Sequence, residues 1–277
     1  MNTTAPKFQR QDIGSANVRF PTGSSMPDPL DVAVDPYGGT KRTKGTNVKG
    51  FQAWPQKSGP FPGVLLLHDW WGLTSHVQDL TFRLALHGFV ALAVDQYSRT
   101  GGAVASEAGH ARELMGRLNH QHVMQDLLAA VEYLNFQDYV KKNRIAVVGF
   151  GMGGSHALSF AGDRRQLRAA VSFYGHIPLD KLGALRCPVL YHRAGQDDSV
   201  TDMALQQLSQ KLAENKVVSE IQTYPDASRG FFDDTRPETY HADAAATAWG
   251  KTLEFLDRYI LAEHAGLRPL TDKQRGF

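Results

Sequence analysis

The nine residues Val147-Val148-Gly149-Phe150-Gly151-Met152-Gly153-Gly154-Ser155 leave this chain few ways to fold. An apolar β-branched run ends in glycines, and a helical pattern follows at once. A strand that passes so quickly into a helix brings backbone against backbone, and glycines at 149 and 153 permit that approach because they lack a Cβ. The residue between them sits at the tip of a tight turn, in a conformation that other residues hold only under strain. This is the shape of a nucleophile elbow, G-x-Nuc-x-G, whose middle side chain is lifted into a pocket. Here the middle residue is Gly151, which has no side chain to lift.

The same alternation extends along the chain. Short apolar runs at 64–68, 89–94, 145–148, 169–174, 189–192 and 217–224 read as strands, and 48–54 alternates enough to be another. Helical spacing marks 78–87, 104–118, 122–134, 153–161, 203–215 and 240–260. In the last of these Ala245, Trp249, Leu253, Leu256 and Ile260 share one side. Strands alternating with helices imply an α/β fold, a mostly parallel central sheet flanked by helices on both faces. Ligands of such sheets bind beyond the carboxyl ends of the strands, in the loops that start at His68, Asp95, Gly149, Tyr174, Arg193 and Tyr224. Residues 1–17 read as polar and irregular, with a first strand opening at 18–20. The stretch 21–47 is rich in Pro, Gly, Ser and Thr and carries the turn signals Asp35-Pro36 and Gly38-Gly39, so it reads as a long surface excursion. The expected organisation is an extension over 1–47, one domain over 48–263 and a tail over 264–277.

Composition narrows the function classes. Lys+Arg is 30 against 28 Asp+Glu, a net charge of +2. That balance argues against nucleic acid or a membrane surface as partner, since both call for a strong basic face. No apolar run is long enough to span a bilayer, and the first residues lack the apolar stretch of a signal peptide. Cys187 is the sole cysteine. It cannot form an intrachain disulfide, which points to a reducing, cytoplasmic setting.

An elbow needs an acid and then a histidine further along the chain. Gly195-Gln196-Asp197 ends one strand and Ala227-Ser228-Arg229-Gly230-Phe231 ends the last. Together with His68-Asp69-Trp70-Trp71-Gly72-Leu73, the elbow itself, and Arg236-Pro237 with Tyr240, these segments make the chain similar to the dienelactone hydrolase family, from about 48 to 260. The resemblance implies an α/β-hydrolase fold, ester or lactone hydrolysis and no cofactor. It implies a cysteine where this chain has Gly151, the triad aspartate at Asp197, a histidine where Arg229 stands, and a glutamate where the shorter Asp69 stands. It also implies oxyanion donors at the Met152 and Trp70 amides. Members acting on dienelactone carry a substrate-binding arginine at the position of Asp233.

Covalent hydrolysis needs an attacking atom and a base to take its proton. Gly151 offers no such atom, and a guanidinium at 229 stays protonated. What remains is a helix N-terminus with a free amide and a nearby cation, an arrangement that favours an anion. Arg229 either stands free in the pocket or folds onto Asp197 as a bidentate pair. Trp70 and Trp71 read as a pocket wall or as core, and His176 as a pocket-lining residue. Ser155, Ser228 and Cys187 are weaker substitutes for the nucleophile, and their ordinary readings are cap, loop and buried apolar filler. His156 and His192 read as hydrogen-bonded core residues. His68-Asp69 lacks a third ligand at metal-site spacing, so no metal is expected. Three readings follow. The first is a non-catalytic relative with a pocket for a small molecule such as a carboxylate. The second is an altered hydrolase in which Asp69 or Asp197 activates water. The third is a structural or partner-binding protein.

Overall fold

The computed structural model describes residues 5–22, 46–163 and 167–261. Eight strands form one sheet: β1 (Ile13–Pro21), β2 (Asn47–Pro55), β3 (Phe61–Leu67), β4 (Val90–Val94), β5 (Val140–Phe150), β6 (Ala169–Phe173), β7 (Val189–Gln196) and β8 (Ser219–Ser228). Their order is β1-β2-β4-β3-β5-β6-β7-β8. The β1/β2 and β2/β4 pairs are antiparallel and all others are parallel. The helices are α1 (Ser75–Leu86), α2 (Ala108–Gly116), α3 (His120–Phe136), α4 (Met152–Asp163), α5 (Asp202–Glu214) and α6 (Ala242–Leu256). This is the expected α/β architecture.

Strand alternation divides the core between two faces. Leu65, Leu67 and Val147 pack with Leu127 of α3, Leu158 of α4 and Leu208 of α5. Val64, Leu66 and Val148 point the other way, to Leu80 and Leu84 of α1 and to Trp249 and Leu253 of α6. Side-chain caps start the helices where orphan amides need acceptors. Thr74 accepts from the Val77 amide at 3.4 Å, Asn119 from the His122 amide at 3.1 Å and Thr201 from the Ala204 amide at 3.2 Å.

Several elements differ from the sequence expectation. The first strand starts at Ile13 and not at 18, because Ser15, Asn17 and Arg19 occupy the outward positions of an edge strand paired with β2 from Ile13↔Pro55 to Pro21↔Asn47. The helix expected over 104–118 shrinks to α2, since the backbone is extended at its N-cap Glu107, φ −110° and ψ 142°. The closing helix begins at Ala242, where His241 Nδ1 accepts from the Ala244 amide. It ends in a π-helical turn over Asp257–Leu261. Most of the excursion at 21–47 and the tail at 264–277 lie outside the described residues. No described helix is long and apolar enough to cross a membrane.

Candidate active site

A cavity of about 510 Å³ opens over the carboxyl ends of β3, β5, β6, β7 and β8. Trp70, Trp71, Phe150, Met152 and Tyr174 give it apolar walls. The loop after β4 lies beneath it, where the Tyr97 hydroxyl donates to the Trp70 carbonyl at 2.8 Å. Tyr174 holds φ +41° at the end of β6, a left-handed backbone unusual for a bulky residue.

The elbow forms as its glycines require. A Cβ at Gly149 would overlap the Gly153 carbonyl, so the strand and helix α4 can approach this closely only without it. Gly151 has φ +49°, the left-handed conformation of the elbow tip. The space above it is filled by Asp69. Asp69 Oδ1 accepts from the Trp70 amide at 2.7 Å and from the Met152 amide at 3.2 Å. These are the two donors expected to form an oxyanion hole, and the chain's own carboxylate holds both. A Cβ built at 151 would overlap the Asp69 carboxyl carbon and both its oxygens. Gly151 and Asp69 are therefore one unit: the carboxylate can sit on the amides because the elbow tip has no side chain. Burial pushes the Asp69 carboxyl above its ordinary range, and Asp233 adds to the shift, against the pull of the two amides and Arg229.

Asp69 is steadied from below. The buried His68 accepts the Gln96 amide at Nε2, 3.0 Å, so its Nδ1 carries the proton donated to the Asp69 carbonyl at 2.6 Å. Gln96 Nε2 donates to the His68 carbonyl at 2.9 Å, and its Oε1 takes the His156 Nδ1 proton at 2.6 Å. Burial lowers His68 and His156 to about 4, so both rings are neutral at pH 7. Both ring nitrogens of His68 are thus engaged in holding the backbone at Asp69 and Gln96.

Arg229 folds onto Asp197, as one sequence reading allowed, but not as a bidentate fork. A single nitrogen, Nη1, donates to Asp197 Oδ2 at 3.2 Å and to Ser199 Oγ at 2.9 Å. Asp197 Oδ1 takes the Ser199 amide at 3.0 Å. Ser199 inserts between the partners and shares the guanidinium. The aspartate is 7% exposed and well partnered, and Arg229 is one-third exposed. Neither is a free charge for a ligand.

The other candidates resolve plainly. Trp70 and Trp71 line the cavity and also pack with Tyr97 and Met152. The Arg236 guanidinium lies 3.1 Å from the Trp71 ring centroid. His176 lines the cavity from an exposed position. Ser155 faces the cavity, but its hydroxyl donates to the Gly151 carbonyl at 3.3 Å and not to a base. Ser228 is exposed and does not line the cavity. Cys187 is buried away from it, with its thiol pushed up to about 12 by burial. His192 is core, bonded to Tyr224 at 2.9 Å and Thr252 at 3.0 Å and lowered by burial to about 3.

Sequence reasoning missed His76. It lines the cavity from the start of α1, and its Nδ1 lies 2.9 Å from Asp234 Oδ1 and 3.6 Å from Asp233 Oδ1. The signal available was the acidic pair directly after Phe231-Phe232, at the position where a substrate-binding arginine was implied. One potential ligand atom from each of His76, Asp233 and Asp234 lies within 4.8 Å of the others. The short His–Asp bond and the Thr235 hydroxyl on Asp233 already use these atoms, and Arg236 stands 3.8 Å from Asp233, so the cluster is self-paired and suits a metal poorly.

Comparison with known proteins places these features. The profile of the Dienelactone hydrolase family matches residues 48–260. A protein of Escherichia coli (strain K12) called "Putative carboxymethylenebutenolidase" is 30% identical over 265 residues, covering 90% of this chain and 96% of its own. A Bradyrhizobium sp protein called "Probable 2-oxo-3-(5-oxofuran-2-ylidene)propanoate lactonase" is 28% identical over 226 residues, 77% of this chain and 90% of its own. The crystal structure of "Putative Dienelactone Hydrolase" from Klebsiella pneumoniae subsp. pneumoniae MGH 78578 superposes with TM-score 0.74 at 25% identity, covering 89% of this chain and all of that one.

Proposed function

This chain belongs to the dienelactone hydrolase family, and on that footing we propose that it binds a small neutral molecule in the elbow cavity without forming the acyl-enzyme of covalent hydrolysis. The observation that carries this reading is Asp69 Oδ1 on both the Trp70 and Met152 amides, above a glycine at the nucleophile position. A carbonyl oxygen can enter the hole only by displacing that carboxylate. Among the described residues no side-chain nucleophile with a base beside it stands at the elbow, the Ser155 hydroxyl being bonded to the Gly151 carbonyl, and lacking nucleophile and base typically costs several orders of magnitude in rate.

The charges around the cavity refine the ligand. The anion site expected from the sequence is already used: both amides hold Asp69, and Arg229 is engaged with Asp197 and Ser199. Asp233 and Glu238 add further negative charge to the lining, and Arg236, 3.8 Å from each, is engaged with them. A carboxylate ligand would meet these acids, whereas a neutral ester or lactone meets mostly aromatic wall. The names of the relatives point to the same lactone-like shape. Hydrolysis by water activated at Asp69 or Asp197 is the weaker reading, because both carboxylates are spent on fixed donors. Cys187, as the only cysteine, fits a reducing compartment.

The test pairs calorimetry with acylation kinetics. Titration with dihydrocoumarin should give saturable heat, and succinate should bind more weakly. Incubation with p-nitrophenyl acetate should release no burst of p-nitrophenol. A burst of one equivalent per chain, or no saturable heat from any neutral lactone or ester tested, overturns the reading.

A further inference from the structure

Three histidines line the cavity, His76, His156 and His176. They differ in what holds them. His156 gives its Nδ1 proton to an uncharged amide oxygen of Gln96 and is lowered by burial, which makes its ring a poor base. His176 is exposed, with no carboxylate partner among the described residues. His76 is 7% exposed, its Nδ1 is turned to Asp234 and Asp233, and its ring meets that of Phe232 edge-to-face with centroids 6.2 Å apart. Its Nε2 makes no hydrogen bond among the described residues.

We propose that His76 is the proton-accepting residue of this cavity, with Asp234 and Asp233 as its positioning residues, and that the site takes a proton from a neutral bound ligand. The inference rests on the reading that the cavity binds a small neutral molecule.

The chemistry follows from the pairing. A carboxylate at Nδ1 fixes the ring in the tautomer that leaves a lone pair on Nε2 and stabilises the imidazolium formed when Nε2 takes a proton. Asp233 is itself oriented, its Oδ1 accepting from the Thr235 amide at 3.0 Å and the Thr235 hydroxyl at 2.6 Å. The charged groups facing the pair are Arg236, 3.8 Å from Asp233, Glu238, 3.8 Å from Arg236, and Asp69, which senses Asp233 across the cavity. The site thus keeps a base while its elbow lacks a nucleophile and a free oxyanion hole. Such a site supports proton transfer from carbon, which needs no covalent intermediate, in place of acyl transfer.

The probe is 5-nitrobenzisoxazole, a neutral flat molecule whose ring opening needs only a base. Nε2 takes the C3 proton, the C–H pair forms the nitrile, the N–O bond breaks and the phenolate leaves as the proton's counterpart, with no co-reactant. The native chain should convert it with saturation, and His76→Gln should lose on the order of a hundred-fold in rate. Asp234→Asn should change the His76 ring-nitrogen NMR shifts and lower kcat while leaving KM near the native value, a split that a merely structural role would not produce. In the native chain those shifts should report a protonated Nδ1 and a bare Nε2. A native ring with the opposite tautomer, or conversion unchanged in His76→Gln, overturns the assignment. Calorimetric binding without conversion also overturns it while leaving the pocket reading intact. Neither binding nor conversion counts against both.

Discussion

Asp69 and Gly151 are coupled because one occupies the space the other vacates. The carboxylate bonds to two amides, and a methyl at 151 would overlap it. Gly151→Ala should therefore destabilise the fold by more than the roughly 1–3 kcal/mol that left-handed strain alone costs a non-glycine residue. In an Asp69→Ala background the same substitution should cost only the strain. Urea unfolding of the four chains closes the double-mutant cycle, and additive effects would show that the two residues are independent. That glycine stands at the elbow tip, 151, and arginine at 229 was legible directly in the sequence. The occupied hole was not, because a carboxylate at 69 reaching the amides of 70 and 152 depends on a fold that brings β3 beside β5. The Arg229–Asp197 contact was foreseen in kind but not in geometry, since Ser199 shares the guanidinium.

Elements carry their own tests. Arg99, in the loop after β4, grips Asp126 of α3 through Nε at 3.1 and 3.0 Å and Nη2 at 2.8 Å. Asp126 is almost fully buried, and burial pushes its carboxyl up against the pull of Arg99. Arg99→Leu takes the guanidinium away from that buried acid and should cost about 3 kcal/mol in urea unfolding. A loss below about 0.5 kcal/mol would mean the pair does not tie the loop to the helix. The strands that apolar runs announced, β3, β4 and β6, appear within three residues of their expected bounds, because burial on both faces leaves an unbroken apolar signature. Elements with a polar outer face were harder. In β1 the outward Ser15, Asn17 and Arg19 hid a strand, and at α2 the extended backbone at Glu107 cut short the helix that apolar spacing had claimed.

At the scale of the whole molecule, buried neutral histidines make stability depend on pH. His192 is lowered to about 3 in the fold, against about 6.5 in an unfolded chain. Between those values the unfolded chain binds the extra proton, so the stability contributed by the neutral ring is present above pH 6.5 and lost as pH falls. From pH 7 to pH 5 this one residue should lower stability by about 2 kcal/mol. His192→Gln has no ring to protonate, so the stability gap between native and variant should narrow by that amount over the same range. A constant gap would mean His192 is not buried neutral. The α/β class was legible because the strand–helix alternation repeats across the chain, whereas the cavity's chemistry was not, since it assembles from five loops far apart in sequence. The central claim, that the elbow is closed by its own carboxylate, is tested most directly by the p-nitrophenyl acetate burst of three chains: native, Gly151→Cys/Arg229→His, and the same double variant with Asp69→Ala. Only the triple variant should burst, because only there are the nucleophile, the base and both amides available together. A burst from the native chain, or a double variant as active as the triple, would contradict the claim.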